Sequence, residues 1–288
     1  MDSRTLIYGS SAALAVGAGA WAAVYYATYA VRSQLLGETV WRGVGATSAV
    51  ALTFDDGPSQ EDTGAILDLL AERGLKATFF MIGGAVEGLP RVARRVAAQG
   101  HEIGNHSYSH PIYLFRTSRE TARQLELTQA VIERATGVRP RFARPPCGVR
   151  TRAYFRAARR LGLRTVQWDA AGFDWKRIAP REIAARVLKD ARPGSIILLH
   201  DGDSTGREDR RRTVAALPLI LDGLAARGLR VAPLAEVLGD ATRAPESSHA
   251  AQTSADARSS SGARSYASEE SSVVASRAEL SGSGGARA

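Results

Sequence analysis

The sequence is poor in cysteine and in long apolar stretches. Cys147 is the only cysteine among 288 residues, which excludes an internal disulfide and any zinc site built from several cysteines. A hydrophobic fraction of 44% excludes a wholly disordered chain, and a single long apolar segment excludes a protein with many membrane spans. The net charge is +9, but no basic segment is interleaved with aromatic residues, so no nucleic-acid partner is predicted.

The one long apolar segment lies near the N-terminus, where no charged residue occurs between Arg4 and Arg32. Its length suits a membrane-spanning helix, and Trp21 with several tyrosines occupies its second half, as is typical of a membrane interface. A cleaved signal peptide is the alternative, because residues 18–20 resemble a cleavage site. We predict an uncleaved signal anchor over residues 1–32 with an extracytoplasmic catalytic region, whereas cleavage would give a secreted protein.

The remaining chain divides into a linker, a patterned region and a polar tail. Residues 33–47 are predicted as the linker, and residues 239–288, rich in serine and alanine, as a disordered tail. Between them, short apolar runs such as Ala49–Phe54 alternate with amphipathic segments such as Ser118–Thr136. This alternation predicts one α/β domain over residues 48–238, built on a parallel sheet or barrel.

Two groups of possible metal ligands follow predicted strands. Asp55 and Asp56 precede a Gly-Pro turn, which lets two adjacent carboxylates reach one site. His106 and His110 are four residues apart, so that a single turn can present both imidazoles to one ion, and Pro111 predicts that His110 lies in a loop. Two imidazoles and one carboxylate are typical ligands of zinc and of several other divalent metals.

Later strand ends carry further polar groups. In the segment Arg144-Pro145-Pro146-Cys147-Gly148 the prolines fix the backbone, which favours N–H groups of the next residues pointing at one spot, as an oxyanion requires. We prefer this function to a nucleophilic Cys147, because no partner can be assigned to its thiol. The apolar run ending at His200 offers an imidazole that exchanges a proton near neutral pH.

A family resemblance connects these segments. In order, TFDDGP, HSYSH, RPPCG, FDW and LLHD resemble the five motifs of the polysaccharide deacetylase family, the NodB homology domain of carbohydrate esterase family four. The resemblance covers about residues 48–235. It implies a distorted (β/α) barrel and the metal-dependent hydrolysis of N- or O-acetyl groups on glycans.

The resemblance also implies roles for the first motif residues. Asp55 would be the general base, oriented by Arg144. Asp56, His106 and His110 would hold the metal. Zinc is the first expectation for that metal, and Co²⁺, Ni²⁺ and Mn²⁺ are the alternatives.

The remaining motif residues would handle the substrate and the leaving group. The backbone N–H of Cys147 would help to hold the oxyanion, and His200, steadied by Asp174, would be the general acid. Pro146 and Trp175 would form the apolar wall beside the substrate.

Two positions depart from the usual family pattern. Ala171 stands where many members have an aspartate, and Cys147 stands where an aromatic residue is usual. These departures leave the substrate range open. We predict an N-deacetylase of a GlcNAc-containing polymer or oligomer, peptidoglycan-like or chitin-like.

Two alternatives remain open from the sequence. A related enzyme would release formate or would act on a lipid-linked sugar. A protein of another class would bind the glycan without turning it over.

Overall fold

The computed structural model describes residues 17–43 and 48–240, and a parallel sheet organises this part of the chain. Its eight strands are β1 (Ala49–Asp55), β2 (Thr78–Met81), β3 (Glu102–Asn105), β4 (Phe142–Ala143), β5 (Arg164–Thr165), β6 (Ala170–Ala171), β7 (Ile196–His200) and β8 (Arg230–Ala232). Hydrogen bonds connect them in the order β5-β4-β3-β2-β1-β7-β6, and β8 pairs with the start of β1.

Helices connect most of the strands. They are α1 (residues 17–29), α2 (Asp62–Glu72), α3 (Gly83–Gly88), α4 (Pro90–Ala98), α5 (Ser118–Thr136), α6 (Arg152–Arg160), α7 (Pro180–Asp190), α8 (Arg211–Ala226) and α9 (Leu234–Val237). The long helix α5 begins after Thr117, whose hydroxyl accepts from the N–H of Glu120, and ends at Gly137 in the left-handed conformation. The predicted alternation of strand and helix is confirmed.

The sheet curls without closing. Within the described residues its two ends, β5 and β6, do not pair with each other, so the distorted barrel of the prediction is an open half-barrel. One apolar cluster fills the space between the sheet and the surrounding helices, and a second, smaller cluster fills the concave side. Because the strands of the sheet are parallel, their carboxyl ends lie at one rim of the half-barrel.

The central strand β1 shows how the sheet presents side chains to the site. All seven of its residues are buried. Val50, Leu52 and Phe54 belong to the outer cluster, whereas Ala49 and Ala51 belong to the inner one. Because side chains alternate along a strand, Thr53 and Asp55 continue the inner row. The carboxylate of Asp55 therefore faces the inside of the half-barrel.

The segment predicted as a linker is packed on the domain over residues 33–43. Val40 forms a parallel bridge with Val166, and Arg42 forms an antiparallel bridge with Ser195. The N–H of Gly43 donates to the carbonyl of Gly194 at 2.8 Å. These backbone bonds extend the sheet beyond its named strands, so this stretch belongs to the folded domain.

The first half of the predicted signal anchor and nearly all of the predicted tail fall outside the described residues. Residues 1–16, 44–47 and 241–288 are not described. In the described part, no helix combines the length and the apolar character that a membrane crossing needs. The signal anchor over residues 1–32 and the tail over residues 239–288 stay predictions.

Two leucines of α8 provide a matched test of the packing. Leu217 is fully buried in the outer cluster, whereas Leu219 is 41% exposed. Leu217→Ala removes a buried side chain and leaves a cavity, so we expect the free energy of unfolding to fall by about 2–5 kcal/mol. Leu219→Ala should cost clearly less. Urea denaturation of both variants measures the difference, and equal losses would contradict the packing of α8.

Candidate metal and catalytic site

The carboxyl ends of four strands bring the motif residues together. Asp55 ends β1 and is followed by Asp56, His106 follows β3, Arg144 follows β4 and His200 ends β7. These four strands are parallel, and together with β2 they form a consecutive run in the sheet, β4-β3-β2-β1-β7. Residues separated by up to 145 positions therefore share one rim, where active sites of parallel α/β proteins form.

A left-handed turn places both aspartates in the same site. Asp56 has a φ of 74°, so its side chain does not turn away to the outer face as the next residue of a strand would. The turn is packed closely against the end of β7. The N–H of Asp201 donates to the carbonyl of Asp55 at 3.1 Å, and a Cβ on Gly57 would lie 2.1 Å from Asp201 Oδ2. Glycine is therefore required at position 57.

Asp56, His106 and His110 form a compact cluster of metal-ligand type. Their ligand atoms all lie within 4.8 Å of one another. Asp56 Oδ1 lies 3.3 Å from His106 Nε2 and 3.2 Å from His110 Nε2, yet it is buried without an aligned hydrogen bond. His106 Nδ1 contacts the carbonyl of Arg144 at 2.8 Å, which directs Nε2 of the same ring toward Asp56.

The electrostatics of this cluster suit a bound cation. Burial opposes the charge on Asp56, but the imidazoles of His106 and His110 outweigh it and lower the pKa of the carboxyl group. Burial and the charge of His106 lower the pKa of His110 to about 4, so its nitrogen keeps a free lone pair. For His106 burial is outweighed by Asp55 and Asp56, and its pKa rises. Two imidazoles and a carboxylate with an unpartnered buried oxygen fit a divalent metal.

Arg144 is fully buried and holds Asp55. Its Nη1 donates to Asp55 Oδ1 at 2.7 Å and to Thr53 Oγ1 at 2.8 Å, and its Nη2 donates to the carbonyl of Gln167 at 3.1 Å. The guanidinium lies over the ring of Phe80, 4.2 Å from its centroid. Asp55 Oδ2 is left facing the metal cluster, 3.8 Å from His106 Nε2.

His200 is held by Asp174 at the opposite side of the site. Its Nδ1 lies 2.8 Å from Asp174 Oδ1, and its backbone N–H donates to Asp174 Oδ2 at 2.8 Å. Thr213 also donates to Asp174 Oδ2 at 2.8 Å. Burial opposes the charge on His200, but the carboxylate of Asp174 outweighs it and raises the pKa of His200 to about 9. The imidazole is therefore a cation at neutral pH.

The predicted wall and oxyanion residues also lie at this rim. The ring of Trp175 meets that of His200 edge-on at 5.5 Å and is 40% exposed. Pro146 is buried, and Cys147 is exposed with a φ of 53°. The N–H of Gly148 donates to the carbonyl of Pro145 at 2.9 Å, whereas the N–H of Cys147 has no acceptor among the described residues. Of the two candidate donors, Cys147 is the free one.

Sequence reasoning assigned no role to Asp201, which the structure places under the turn of Asp55 and Asp56. Its Oδ2 accepts from the hydroxyl of Thr63 at 2.6 Å. Burial and the charges of Asp56 and Asp55 raise the pKa of Asp201 to about 7. The available signal was its position directly after His200, but a strand-end aspartate is also common as a simple turn residue.

The buried pair of Arg144 and Asp55 gives a stability test. Arg144→Met leaves the carboxylate of Asp55 buried without its partner, so we expect the free energy of unfolding to fall by about 3–5 kcal/mol at neutral pH. Adding Asp55→Asn removes the uncompensated charge and should restore part of that loss. Urea denaturation of the two single variants and the double variant measures the coupling. Strictly additive losses would show that the two side chains do not interact.

Comparison with known proteins places this site in a family. The family model of polysaccharide deacetylase matches residues 43–166. A chitooligosaccharide deacetylase of Bradyrhizobium sp. is 36% identical over 202 residues, covering 67% of this chain and 92% of the relative. A peptidoglycan-N-acetylglucosamine deacetylase of Bacillus cereus is 39% identical over 185 residues, covering 64% of this chain and 66% of the relative.

A solved structure shows the same fold. The peptidoglycan N-acetylglucosamine deacetylase Bc1960 matches with a TM-score of 0.66 and 35% sequence identity, over 70% of this chain and 92% of that one. The predicted family is thereby confirmed, and the open half-barrel is the fold that its members share. The chain belongs to the polysaccharide deacetylase family of enzymes, carbohydrate esterase family four.

Proposed function

We propose that the protein hydrolyses the N-acetyl group of GlcNAc units in a peptidoglycan-like or chitin-like polymer or oligomer. The names of the relatives supply the substrate class. The observation that carries the chemistry is one rim on which a buried carboxylate, a cluster of metal-ligand type and a charged histidine face each other. Amide hydrolysis needs these three parts: an activated water, a place for negative charge and a proton for the amine.

Asp56, His106 and His110 are the residues that would hold the metal. A divalent cation bound there would polarise the acetyl carbonyl and would lower the pKa of water to about 7. Zinc suits this ligand set, as do Co²⁺, Ni²⁺ and Mn²⁺. His106 is held by the carbonyl of Arg144, so the same loop orients a metal ligand and carries the partner of Asp55.

Asp55 acts as the general base. Arg144 occupies its Oδ1, and Oδ2 remains directed at the site, where it takes a proton from the attacking water. The positive guanidinium and the contact with Thr53 fix the carboxylate in one orientation. Asp55 is therefore the base and Asp56 the metal ligand, because a carboxylate engaged with a metal is a poor base.

Cys147 and His200 complete the reaction. The free N–H of Cys147 stabilises the negative charge that develops on the carbonyl oxygen. His200 then donates a proton to the departing nitrogen, while Asp174 keeps the imidazole in place.

Trp175 and Pro146 line the substrate side of the site. Ala171 is buried in β6 and is paired with Leu198, so the missing aspartate leaves a small apolar side chain there.

We also propose that the N-terminal residues 1–32 keep the enzyme at a membrane, with the catalytic domain on the extracytoplasmic side. The support is the uncharged stretch between Arg4 and Arg32. Cleavage within this stretch would give the secreted form, which N-terminal sequencing of the mature protein distinguishes.

The activity is tested with full-length protein and N-acetylchitooligosaccharides. We expect a chelator to abolish acetate release and added zinc to restore it. Asp55→Asn should reduce turnover by roughly 10²- to 10⁴-fold while bound zinc, measured by titration, is retained. The control is Asp169→Asn, because Asp169 is also inaccessible but bonds Ser195 and Arg192 at the other end of β7.

Several outcomes contradict the proposal. Full activity of Asp55→Asn would remove the base assignment. Formate in place of acetate would support the deformylase alternative. Tight binding of the oligosaccharide without any free amine, even with zinc added, would support a silent glycan-binding protein.

The pKa of His200 predicts the alkaline limit of activity. Its pKa of about 9 lies above the ordinary value, so the acid form is present below that pH and is lost as the pH rises through about 9. Asp174→Asn removes the charge that raises this pKa, and the alkaline limb of kcat should move to lower pH by roughly 1–3 units. Asp169→Asn should leave the limb in place. An unchanged limb in Asp174→Asn would contradict the assignment of His200 as the acid.

A further inference from the structure

The large exposed apolar side chains of the described residues are concentrated in two short segments of the chain. Of eleven large exposed hydrophobic residues, nine lie on α1, on the turn after it or on the loop 112–115. They are Trp21, Val24, Tyr25, Tyr26, Tyr29, Leu35, Ile112, Leu114 and Phe115. Apolar groups that are gathered in this way mark an interaction surface, whereas single ones need no explanation.

Arg150 fixes α1 to the loop that carries the oxyanion donor. Its side chain is buried, and its guanidinium donates to the carbonyls of Thr28, Ala30 and Val31 at the C-terminal end of α1. Its own backbone N–H donates to the carbonyl of Thr28 at 3.2 Å. A cation at this end of a helix satisfies the free carbonyls and the helix dipole. The helix is thus held only three residues from Cys147.

The outward face of α1 carries a row of stacked aromatic rings. Trp21 stacks on Tyr25 at 5.5 Å between ring centroids, and Tyr25 stacks on Tyr29 at 5.0 Å. These rings do not pack into the domain, since all three are exposed. Trp and Tyr at such positions are typical of the interface between a bilayer and water.

The loop 112–115 lies beside the metal cluster and exposes a second apolar group. It begins two residues after His110, and Phe115 at its end is 73% exposed. Tyr113 in its middle is buried and anchors the loop to α6 through the ring of Tyr154, 5.3 Å away. The loop therefore has a fixed base, and its neighbouring apolar side chains face outward.

The outer face of α6 is made of arginine. Arg152, Arg156, Arg159 and Arg160 are exposed on it. Arg152 lies in the first turn, where a positive charge opposes the helix dipole. Within the described part of the chain only Arg160 of these four has a carboxylate nearby, Glu126 at 3.7 Å. Arg159 and Arg160 lie in the last turn, where a positive charge favours the helix dipole, whereas Arg152 and Arg156 contact no carboxylate among the described residues and suit an anionic partner.

We propose that α1, the loop 112–115 and the arginines of α6 form one bilayer-contact face that lies against a membrane with anionic phospholipids. The three elements are linked through Arg150 and through Tyr113 on Tyr154. The uncharged sequence of residues 5–16 leads directly into α1, which favours a lipid partner over a second copy of the chain. Arginines near an anionic leaflet are attracted to it, and aromatic rings settle at its headgroups.

The bilayer-contact face determines where the enzyme meets its substrate. Because His110 and Cys147 border this face, the mouth of the site is held at the headgroup level and takes glycan that lies close to the membrane. This part rests on the proposed deacetylase activity, whereas the contact with the bilayer rests only on the proposed membrane attachment of residues 1–32.

The single cysteine allows a direct test. Cys147 is exposed, so a thiol-reactive fluorophore on the full-length chain reports how close the rim lies to lipid. We expect headgroup spin-labelled lipid to quench the fluorophore in vesicles of phosphatidylcholine with phosphatidylglycerol. Quenching should be weaker with phosphatidylcholine alone or at high salt, because the arginine contribution is screened. Leu114→Ser with Phe115→Ser should remove most of the quenching.

A matched pair of arginine variants supplies the control. Arg152→Gln with Arg156→Gln on α6 should reduce the quenching, whereas Arg91→Gln with Arg94→Gln, two exposed arginines of α4, should not. Equal effects of the two pairs, or no quenching in any vesicle, would overturn the bilayer-contact face. So would self-association in detergent that the Leu114 and Phe115 changes abolish, because the face would then join two copies.

Activity measurements separate this inference from the proposed function. On a soluble oligosaccharide in detergent, Leu114→Ser with Phe115→Ser should leave kcat and KM unchanged. A raised KM there would make the loop a substrate wall and would overturn the inference. Quenching by lipid with no acetate release from the unlabelled wild type would instead sustain the bilayer-contact face and contradict the proposed function.

Discussion

A buried guanidinium determines the geometry of the site. Arg144 has no access to water, so its charge must be compensated inside the half-barrel, and Asp55 with Thr53 provides that compensation. The carbonyl of the same residue orients His106. One arginine thus positions both the proposed base and a proposed metal ligand, and the rings of Phe80 and Trp168 hold it from the concave side.

Backbone strain is concentrated in the motif segments of the site. Five non-glycine residues of the described chain have positive φ, and all belong to the motif segments: Asp56, Ser107, His110, Cys147 and Phe173. Each such residue costs on the order of 1–3 kcal/mol, which the surrounding packing must offset. The turn of Asp56 is held by Asp201 and Gly57, and the loop of His110 by the hydroxyl of Ser107, which accepts from its N–H at 3.0 Å. The packed sheet therefore keeps the site side chains pointing at one another, whereas an unstrained loop would point them in different directions.

The sequence pattern predicted the strands and helices that short-range periodicity and end signals determine. The apolar run Ala49–Phe54 and the capped helix Ser118–Thr136 were predictable because period and end signals agree there. The contacts of Asp201 and Arg150 were not, since they join segments that are far apart in the chain and have no local signature. For the same reason residues 33–43 read as a linker, although they pack on the sheet. The roles of the motif residues came from the family resemblance and remain proposals.

The central claim is that this site removes acetyl groups from GlcNAc. The most direct measurement quantifies acetate and free amine together, after full-length protein is incubated with zinc and a defined N-acetylglucosamine oligomer. Equal amounts of the two products, absent when zinc is withheld by a chelator, are predicted. Formation of neither product, or of free amine without acetate, would contradict the claim.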